Sequence, residues 1–232
     1  MTTVQKKDFI ELKYSGYANG QLFDSNIEGD LKKMDSKAEV QKTIVVVGEK
    51  MVVPGFDNAL EGKEIGKEYS AEVKFKDGFG ERRRDLLKTI PLKSFHAQKV
   101  DPIPGMVLAL DNTIARIVAV SGARVITDFN NPMAGKDLTY KFTIVRKVED
   151  EQEKTKVLLE YFFKFSPEFE IKEKEILVKG PQMFDAYVKV FNDKFVEILG
   201  KELKFELKLP PKEEKKDEVK MEEHKETNQP GT

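Results

Sequence analysis

A weakly charged stretch interrupts this otherwise ion-rich chain, and it limits the folds open to the chain more than any other feature. Of the 26 residues from Pro102 to Thr127 only three are charged, whereas charged residues make up 35% of the 232-residue sequence. Strand-like alternation precedes the stretch at Tyr69–Phe75 and resumes after it at Leu138–Ile144. A chain of this length has room for one to three domains. We therefore predict a small domain inserted between two strands of a larger one.

The residues before the insert carry the signals of a sheet with one short helix. Ile10–Tyr14 alternates apolar and charged side chains, the period of a strand with one buried face. Asn19-Gly20 is typical of a two-residue hairpin turn, and Pro54-Gly55 opens a short segment with helical spacing. Within the insert, β-branched runs flank Ser121-Gly122, which predicts a β-rich module containing a hairpin.

The region after residue 150 predicts an α+β domain. Apolar residues from Phe184 to Leu199 fall at helical spacing, with Pro181 suited to the first helical position and Gly200 to the residue past the end. The run Leu203–Leu209 alternates as a strand, whereas Val157–Val178 fits a helix or a strand equally well. After it, residues 210–232 are too charged to form a core, which predicts a flexible tail.

Composition excludes several chemistries. The chain has no cysteine and two histidines, His96 and His224, the second of which lies in the tail. Disulfides, thiol catalysis and a two-histidine metal site in the folded body are therefore excluded, and we predict no metal and no cofactor. The net charge of −1 and the lack of a long apolar run predict no nucleic-acid or membrane partner, and we expect a cytoplasmic protein.

One segment imitates a calcium-binding loop and provides a rival function, a calcium-sensing module. Five residues stand at relative positions one, three, five, six and twelve of the EF-hand pattern. The pattern calls for Glu at position twelve, where this chain has the shorter Asp, and a hairpin rather than a helix precedes the loop. Calcium binding is therefore the less favoured interpretation. The five residues are Asp24, Asn26, Glu28, Gly29 and Asp35.

Ordered motifs over residues 1–150 resemble the FKBP family of peptidyl-prolyl cis-trans isomerases. The motifs are Tyr14-Ser15-Gly16, Phe23-Asp24-Ser25, the segment Gly48–Gly62, Gly66-Lys67-Glu68, the segment Asp77–Glu81, and Asp128–Leu138. The last of these resembles the SlyD-type subgroup, in which it closes an insert-in-flap domain; here Asn131 replaces the usual His. The extra C-terminal domain resembles the long archaeal form of the family.

This resemblance implies an α+β fold in which an antiparallel half-barrel sheet wraps on a short helix. It predicts an isomerase domain formed by residues 1–85 and 132–150 and an insert-in-flap chaperone domain at 86–131. Residues 151–209 would then be a separate α+β domain, and 210–232 the charged tail.

The resemblance also implies a reaction that needs neither nucleophile nor metal. Rotation about an X-Pro bond has a barrier of about 18–20 kcal/mol. The twisted imide has lost amide resonance and is less polar than the planar bond, so a dry apolar pocket with a few hydrogen bonds favours it. The matching pocket residues are Tyr14, Phe23, Asp24, Val52, Val53, Phe56, Phe79 and Tyr140.

Roles for these residues follow from the same resemblance. Phe56 would be the floor under the proline ring, with Phe23, Phe79 and Tyr140 as aromatic walls. The Val53 backbone N–H would donate to a substrate carbonyl, and Asp24, beside Tyr14, would lie near the carbonyl that twists. Phe56 stands where small members have Trp. Phe79 replaces a Tyr, which removes a hydroxyl donor.

The partners implied are unfolded or partly folded polypeptides that contain proline. Low charge and open strand edges suit the insert for binding extended apolar chain by strand addition. A non-enzymatic holdase chaperone, binding clients through the insert and the C-terminal domain, is the alternative. The aromatic helix after residue 180 packs either on its own sheet or in a homodimer, and the sequence leaves both open.

Overall fold

A computed structural model describes residues 3–34, 40–110 and 113–208 of the chain. Expectations for Asp35, Leu209 and the charged tail fall outside these residues. The chain divides between Ser166 and Pro167 into two units, which are described separately below. None of the helices in the described ranges is long and apolar enough to cross a bilayer.

Five helices and twelve strands of the described chain are numbered here in chain order. The helices are α1 (Glu28–Lys33), α2 (Pro54–Leu60), α3 (Leu92–Ala97), α4 (Glu151–Phe163) and α5 (Phe184–Leu199). The first six strands are β1 (Phe9–Ala18), β2 (Gln21–Ser25), β3 (Thr43–Val46), β4 (Glu68–Val73), β5 (Leu87–Pro91) and β6 (Val107–Leu110). The others are β7 (Thr113–Ser121), β8 (Arg124–Asp128), β9 (Leu138–Lys147), β10 (Glu168–Ile171), β11 (Glu175–Gly180) and β12 (Glu202–Leu207).

The first unit is built on an antiparallel sheet with the order β2-β1-β9-β4, and β3 also pairs with β1. The predicted alternation is observed, because Leu138, Tyr140, Phe142 and Ile144 of β9 are all buried. The predicted turn joins β1 to β2, and Asn19 and Gly20 have positive φ of 51° and 77°. Positive φ at both central residues is the conformation that Asn-Gly turns favour. The α+β class and the sheet wrapped on a short helix are confirmed.

The insert between β4 and β9 forms its own four-stranded antiparallel sheet, with the order β5-β8-β7-β6. One face carries a small core of Phe95 from α3, Ile117 from β7 and Val125 from β8. The hairpin predicted at Ser121-Gly122 joins β7 to β8. The helix α3 was not predicted; it has only six residues, too few to show a helical period, and it is anchored by Phe95.

The second unit is a three-stranded sheet with the order β10-β11-β12, in which β11 and β12 are parallel. The helix α5 connects these two strands, as parallel strands require a crossover. The predicted end of α5 is observed, since Gly200 has a φ of 70°. Its predicted start at Pro181 is wrong: the Pro181 carbonyl accepts the Phe184 N–H in a preceding turn, and the helix begins at Phe184.

The helix α4 belongs to the first unit, although the sequence predicts a C-terminal domain over residues 151–209. The Arg146 guanidinium of β9 donates to Glu153 of α4 at 2.8 and 2.9 Å and to Glu11 of β1 at 2.8 Å. The Tyr161 hydroxyl donates to the Lys50 carbonyl at 3.3 Å. These bonds join α4 to the central sheet of the first unit, so the C-terminal unit begins at Pro167 rather than at residue 151.

Candidate functional site

A cavity of about 380 Å³ opens beside the central sheet of the first unit. Its walls come from β1, β2, β9, the start of α2, and the loops before α2 and after β4. The lining side chains are mainly aromatic and aliphatic, with a single carboxylate among them. They are Tyr14, Asp24, Met51, Val52, Val53, Phe56, Phe79 and Tyr140.

Two parallel rings form the buried side of this cavity. Phe56 and Tyr140 are stacked with their centroids 4.3 Å apart and their planes 3° apart, and both are nearly inaccessible to solvent. Phe56 reaches this position because α2 lies close to β4. A Cβ on Gly55 would approach Val73 Cγ1 within 2.5 Å, so only glycine allows that spacing. The stack is therefore a buried aromatic surface that closes one side of the cavity.

Edge-on rings form one wall. Phe23 lies 6.0 Å from Phe79 and 6.1 Å from Tyr140, centroid to centroid, both at steep angles. Gly16 permits this packing, because a Cβ there would come within 3.0 Å of both the Phe23 and Tyr140 rings. The loop carrying Phe79 is closed by a hydrogen bond of 2.8 Å from the Gly80 N–H to the Phe75 carbonyl. The backbone at Gly16 and the hydrogen-bonded loop from Phe75 to Gly80 therefore hold the rings of this wall in place.

The polar side of the cavity is a tyrosine-carboxylate pair. The Tyr14 hydroxyl donates to Asp24 Oδ2 at 3.0 Å. Burial, and then the negative charge of Asp24, raise the pKa of Tyr14 well above its usual range. The same two causes raise the pKa of Tyr140 to about 12. Both phenols are therefore protonated at neutral pH, and the charge in the cavity is that of one carboxylate.

A buried network under β1 and β2 fixes the position of Asp24. The Ser25 hydroxyl donates to the Tyr14 carbonyl at 2.8 Å, and the Ser15 hydroxyl donates to Asp30 at 2.5 Å. Asp30 is 8% exposed, and hydrogen bonds from Ser15 and Lys33 lower the pKa of its carboxyl despite its burial. Two strands and α1 are thereby joined directly behind the tyrosine-carboxylate pair.

The same region contains the calcium-loop imitation. The Asn26 side-chain oxygen accepts the Tyr14 N–H at 2.9 Å, and its amide donates to the Leu12 carbonyl at 2.7 Å. Asp24 accepts from Tyr14, and Glu28 pairs with Lys32 at 2.7 Å. These groups are therefore engaged within the protein, and among the residues the structure describes no cluster of three or more candidate ligands could hold a metal ion.

The loop before α2 presents a backbone donor. Asp57 is 3% exposed, and its carboxylate accepts the N–H groups of Gly48 at 3.0 Å and Lys50 at 2.9 Å. The Val53 carbonyl accepts the N–H groups of Phe56 and Asp57. The Val53 N–H has no hydrogen-bond partner within residues 3–34, 40–110 and 113–208. The fixed loop therefore holds an N–H group available to a ligand at the cavity.

The structure brings together all eight residues that the sequence singled out. Seven of them line the cavity, and Phe23 packs against its rings from behind. Met51 was missed, although it lies inside the Gly48–Gly62 motif and next to Val52. His96 lies away from the cavity on α3 of the insert, largely exposed and 3.4 Å from Asp101. The roles given to the eight residues stay predictions.

Known proteins share both parts of this unit. Residues 1–96 match the family of FKBP-type peptidyl-prolyl cis-trans isomerases, and residues 88–133 match the family described as the IF domain of FKBP26. A short-type peptidyl-prolyl cis-trans isomerase of Methanocaldococcus jannaschii is 31% identical over 152 residues, which is 64% of this chain and 94% of the relative.

Two bacterial relatives agree with that match. SlyD of Haemophilus influenzae is 30% identical over 103 residues. The match covers 53% of that SlyD protein and 42% of this chain. A probable FKBP-type 16 kDa isomerase of Pseudomonas fluorescens is 29% identical over 117 residues, 48% of this chain and 77% of the relative.

An apolar cavity on a sheet that wraps a short helix, together with these matches, defines a class of enzyme that rotates prolyl peptide bonds. The chain belongs to the FKBP-type peptidyl-prolyl cis-trans isomerases, in the SlyD-like group with an insert-in-flap domain. It is thus an isomerase with a chaperone role in protein folding, and its substrates are peptides that contain proline. The alternative of a non-enzymatic holdase is not favoured.

Proposed function

We propose that the aromatic cavity is the prolyl site and that its eight predicted residues act there. The proline ring lies on the Phe56 face, between Phe79 and Tyr140. The available Val53 N–H, at the fixed loop before α2, carries this proposal, because it can donate to a substrate carbonyl and hold one end of the bond while the other rotates.

The chemistry follows from polarity. A planar imide is more polar than the twisted one, so a cavity lined by aromatic and aliphatic side chains disfavours the ground state relative to the transition state. Asp24, held by Tyr14, provides the one charge next to the carbonyl that twists. No bond is made or broken, and each tenfold gain in rate needs about 1.4 kcal/mol of differential stabilisation.

The assignment is tested with a short prolyl peptide in a protease-coupled assay. Asp24→Ala and Phe79→Ala both lie at the open side of the cavity, and we expect each to lower kcat/KM at least about tenfold, a loss of about 1.4 kcal/mol. Phe129→Ala removes a partly buried ring of the insert and serves as the matched control. Wild-type rates in both cavity variants would overturn the assignment of the site.

We propose further that the insert captures unfolded client chains. The face of the insert sheet opposite α3 exposes several apolar side chains. They lie outside the module's own core, which is on the α3 side. They include Val107 (60% exposed), Ile114 (66%), Val118 (44%) and Ile126 (38%). This face, with the free edges of β5 and β6, suits an extended apolar segment.

Capture is tested by catalysed refolding of a protein whose folding is limited by proline isomerisation. Ile114→Lys in the exposed face should weaken refolding and spare isomerisation of a short peptide. Gln98→Lys, on the α3 side of the insert, adds the same charge and should leave both activities as they are. Equal refolding by the two variants would contradict capture by this face.

Two coarser properties are also proposed. We place the protein in the cytoplasm, since a chain without cysteine suits a reducing compartment, and cell fractionation tests this.

We also propose a homodimer through the C-terminal unit, supported by the exposed apolar side chains of Met183 and Val190, at 63% and 71%. Light scattering of the full chain against one ending at Ser166 tests the dimer. With a net charge of −1, polypeptides rather than nucleic acid or membranes are the partners we expect.

A further inference from the structure

A second cavity, of about 300 Å³, lies where the insert joins the isomerase domain. Gly105, Ile117 and Val118 of the insert form one side, and the segment from Asp128 to Lys136 forms another. Three cationic side chains and one carboxylate line it. They are Arg82, Arg116, Lys136 and Asp128. The remaining lining residues are apolar or amide, and none of these lining residues belongs to the prolyl site.

The one carboxylate of this cavity is already paired. Asp128 accepts from the Arg82 guanidinium at 2.5 Å, and from the Asn130 side chain and N–H at 2.7 and 3.0 Å. Burial acts to raise the pKa of Asp128, but the bonds from Asn130 and the charge of Arg82 outweigh it and lower that pKa. Asp128 is therefore ionised, and its negative charge is paired with Arg82 rather than with the other two cations of the cavity.

The other two cations have no such partner. No carboxylate within hydrogen-bonding or ion-pair distance of Arg116 or Lys136 occurs in the described parts of the chain. Lys74, by contrast, contacts Asp137 at 2.8 Å. The cavity therefore has a net positive charge and two donors free to bind an anion, next to the apolar side chain of Val118.

The two cavities are neighbours along the chain. Phe79 lines the prolyl cavity and Arg82, three residues later, lines the cationic one. Three residues span at most about 11 Å even when fully extended. The Gly80 carbonyl accepts the Gly135 N–H at 2.8 Å, which fixes this connection against the segment that lines the cationic cavity. The second cavity is therefore within reach of a peptide that extends a few residues beyond the first.

We propose that the cationic cavity is a subsite for an Asp or Glu side chain of the client polypeptide whose proline occupies the prolyl cavity. The enzyme then prefers X-Pro bonds with an acidic residue about two to five positions away. This inference rests on the prolyl site proposed above. The apolar lining suits the methylene groups of an acidic side chain, and β7 carries both Arg116 and the exposed capture face, so a client bound there is led to the subsite.

The test is a series of peptides with one X-Pro bond and Glu, Gln or Lys at each of positions two to five on either side. The value of kcat/KM is measured by NMR exchange at low salt. We expect Glu to be favoured over Gln by about two- to fivefold at one or more positions, the range for an exposed ion pair, and Lys to be disfavoured. High salt should reduce this preference.

Variants locate the effect. Arg116→Gln should abolish most of the Glu-over-Gln preference, and Lys136→Gln should reduce it. Arg124→Gln removes the same charge from the same sheet outside the cavity, and it should keep the preference unchanged. A wild-type enzyme with no acidic preference, or a preference that survives both cavity variants, would overturn the subsite. Failure of the wild type on the Gln peptides would instead count against the prolyl site itself.

Discussion

The isomerase sheet and the insert sheet use the same alternation of apolar and polar residues but differ in what covers them. In the isomerase sheet, Phe56 of α2 covers the aromatic residues of β9, and the prolyl cavity lies beside them. In the insert sheet, α3 covers one face, and apolar residues such as Ile114 and Val118 remain open on the other. The comparison indicates that a rigid, covered sheet suits turnover, whereas a half-covered sheet suits weak binding of varied chains.

The largest effect should come from the floor of the cavity. Phe56→Ala removes a ring that is 1% exposed and stacked on Tyr140, so we expect a loss of about 3–5 kcal/mol in the free energy of unfolding. Urea denaturation measures this. The matching truncation in the insert, Ile114→Ala, should cost almost nothing, and equal losses at the two positions would break the contrast between the sheets.

A glycine under the aromatic wall should give the next largest effect. In Gly16→Ala the new methyl group contacts the Phe23 and Tyr140 rings at 3.0 Å, so one ring has to move. We expect a destabilisation of about 1–3 kcal/mol, typical of overpacking, together with a lower kcat/KM for a short peptide. Gly29→Ala, at an exposed position with open space and no positive φ, is the control for the added methyl group and should leave kcat/KM unchanged.

The buried carboxylate behind the cavity makes stability depend on pH. Hydrogen bonds from Ser15 and Lys33 lower the pKa of Asp30 below its unfolded value. Its contribution is therefore present above about pH 4 and is lost as pH falls through the lower, folded pKa. Asp30→Asn should cost about 1–3 kcal/mol at pH 7 and flatten the acid side of the stability profile. Glu81→Gln, which removes an exposed carboxylate that forms no ion pair with any described residue, should keep the wild-type profile, and a wild-type profile for Asp30→Asn would contradict this role.

The smallest effect on stability should come from the open face of the insert. Ile114→Lys replaces a side chain that is 66% exposed, so we expect a change within about 0.5 kcal/mol in the free energy of unfolding. A thermal melt measures it. A large loss would mean that Ile114 belongs to a core, and the two sheets would then be covered alike.

The sequence predicted the parts of this molecule that depend on local pattern. Alternation along β9 and the Asn19-Gly20 turn predicted strands and a hairpin, because burial of one face and positive φ leave direct traces in residue types. The site residues were identified from ordered motifs. Phe79 and Phe56 are 23 residues apart, and neither the helical nor the strand period predicts that they line the same cavity.

What the sequence could not predict depends on contacts distant along the chain. The position of α4 is fixed by Arg146, which contacts Glu153 and Glu11, and no local signal encodes that bridge. The cationic cavity likewise combines Arg116 with Lys136, which lie on different domains. Pro181 matched the preference for a first helical position, but the turn to Phe184 placed it before α5.

The bond from Tyr161 to the Lys50 carbonyl determines how short a working version of this enzyme can be. Lys50 lies three residues before Val53, whose N–H faces the substrate in the proposed site. Ending the chain at Lys147, after the last strand of the sheet, would remove α4 and with it one of the hydrogen bonds that hold that loop. A truncated isomerase designed from this protein should therefore extend through Phe163, beyond the edge of the sheet.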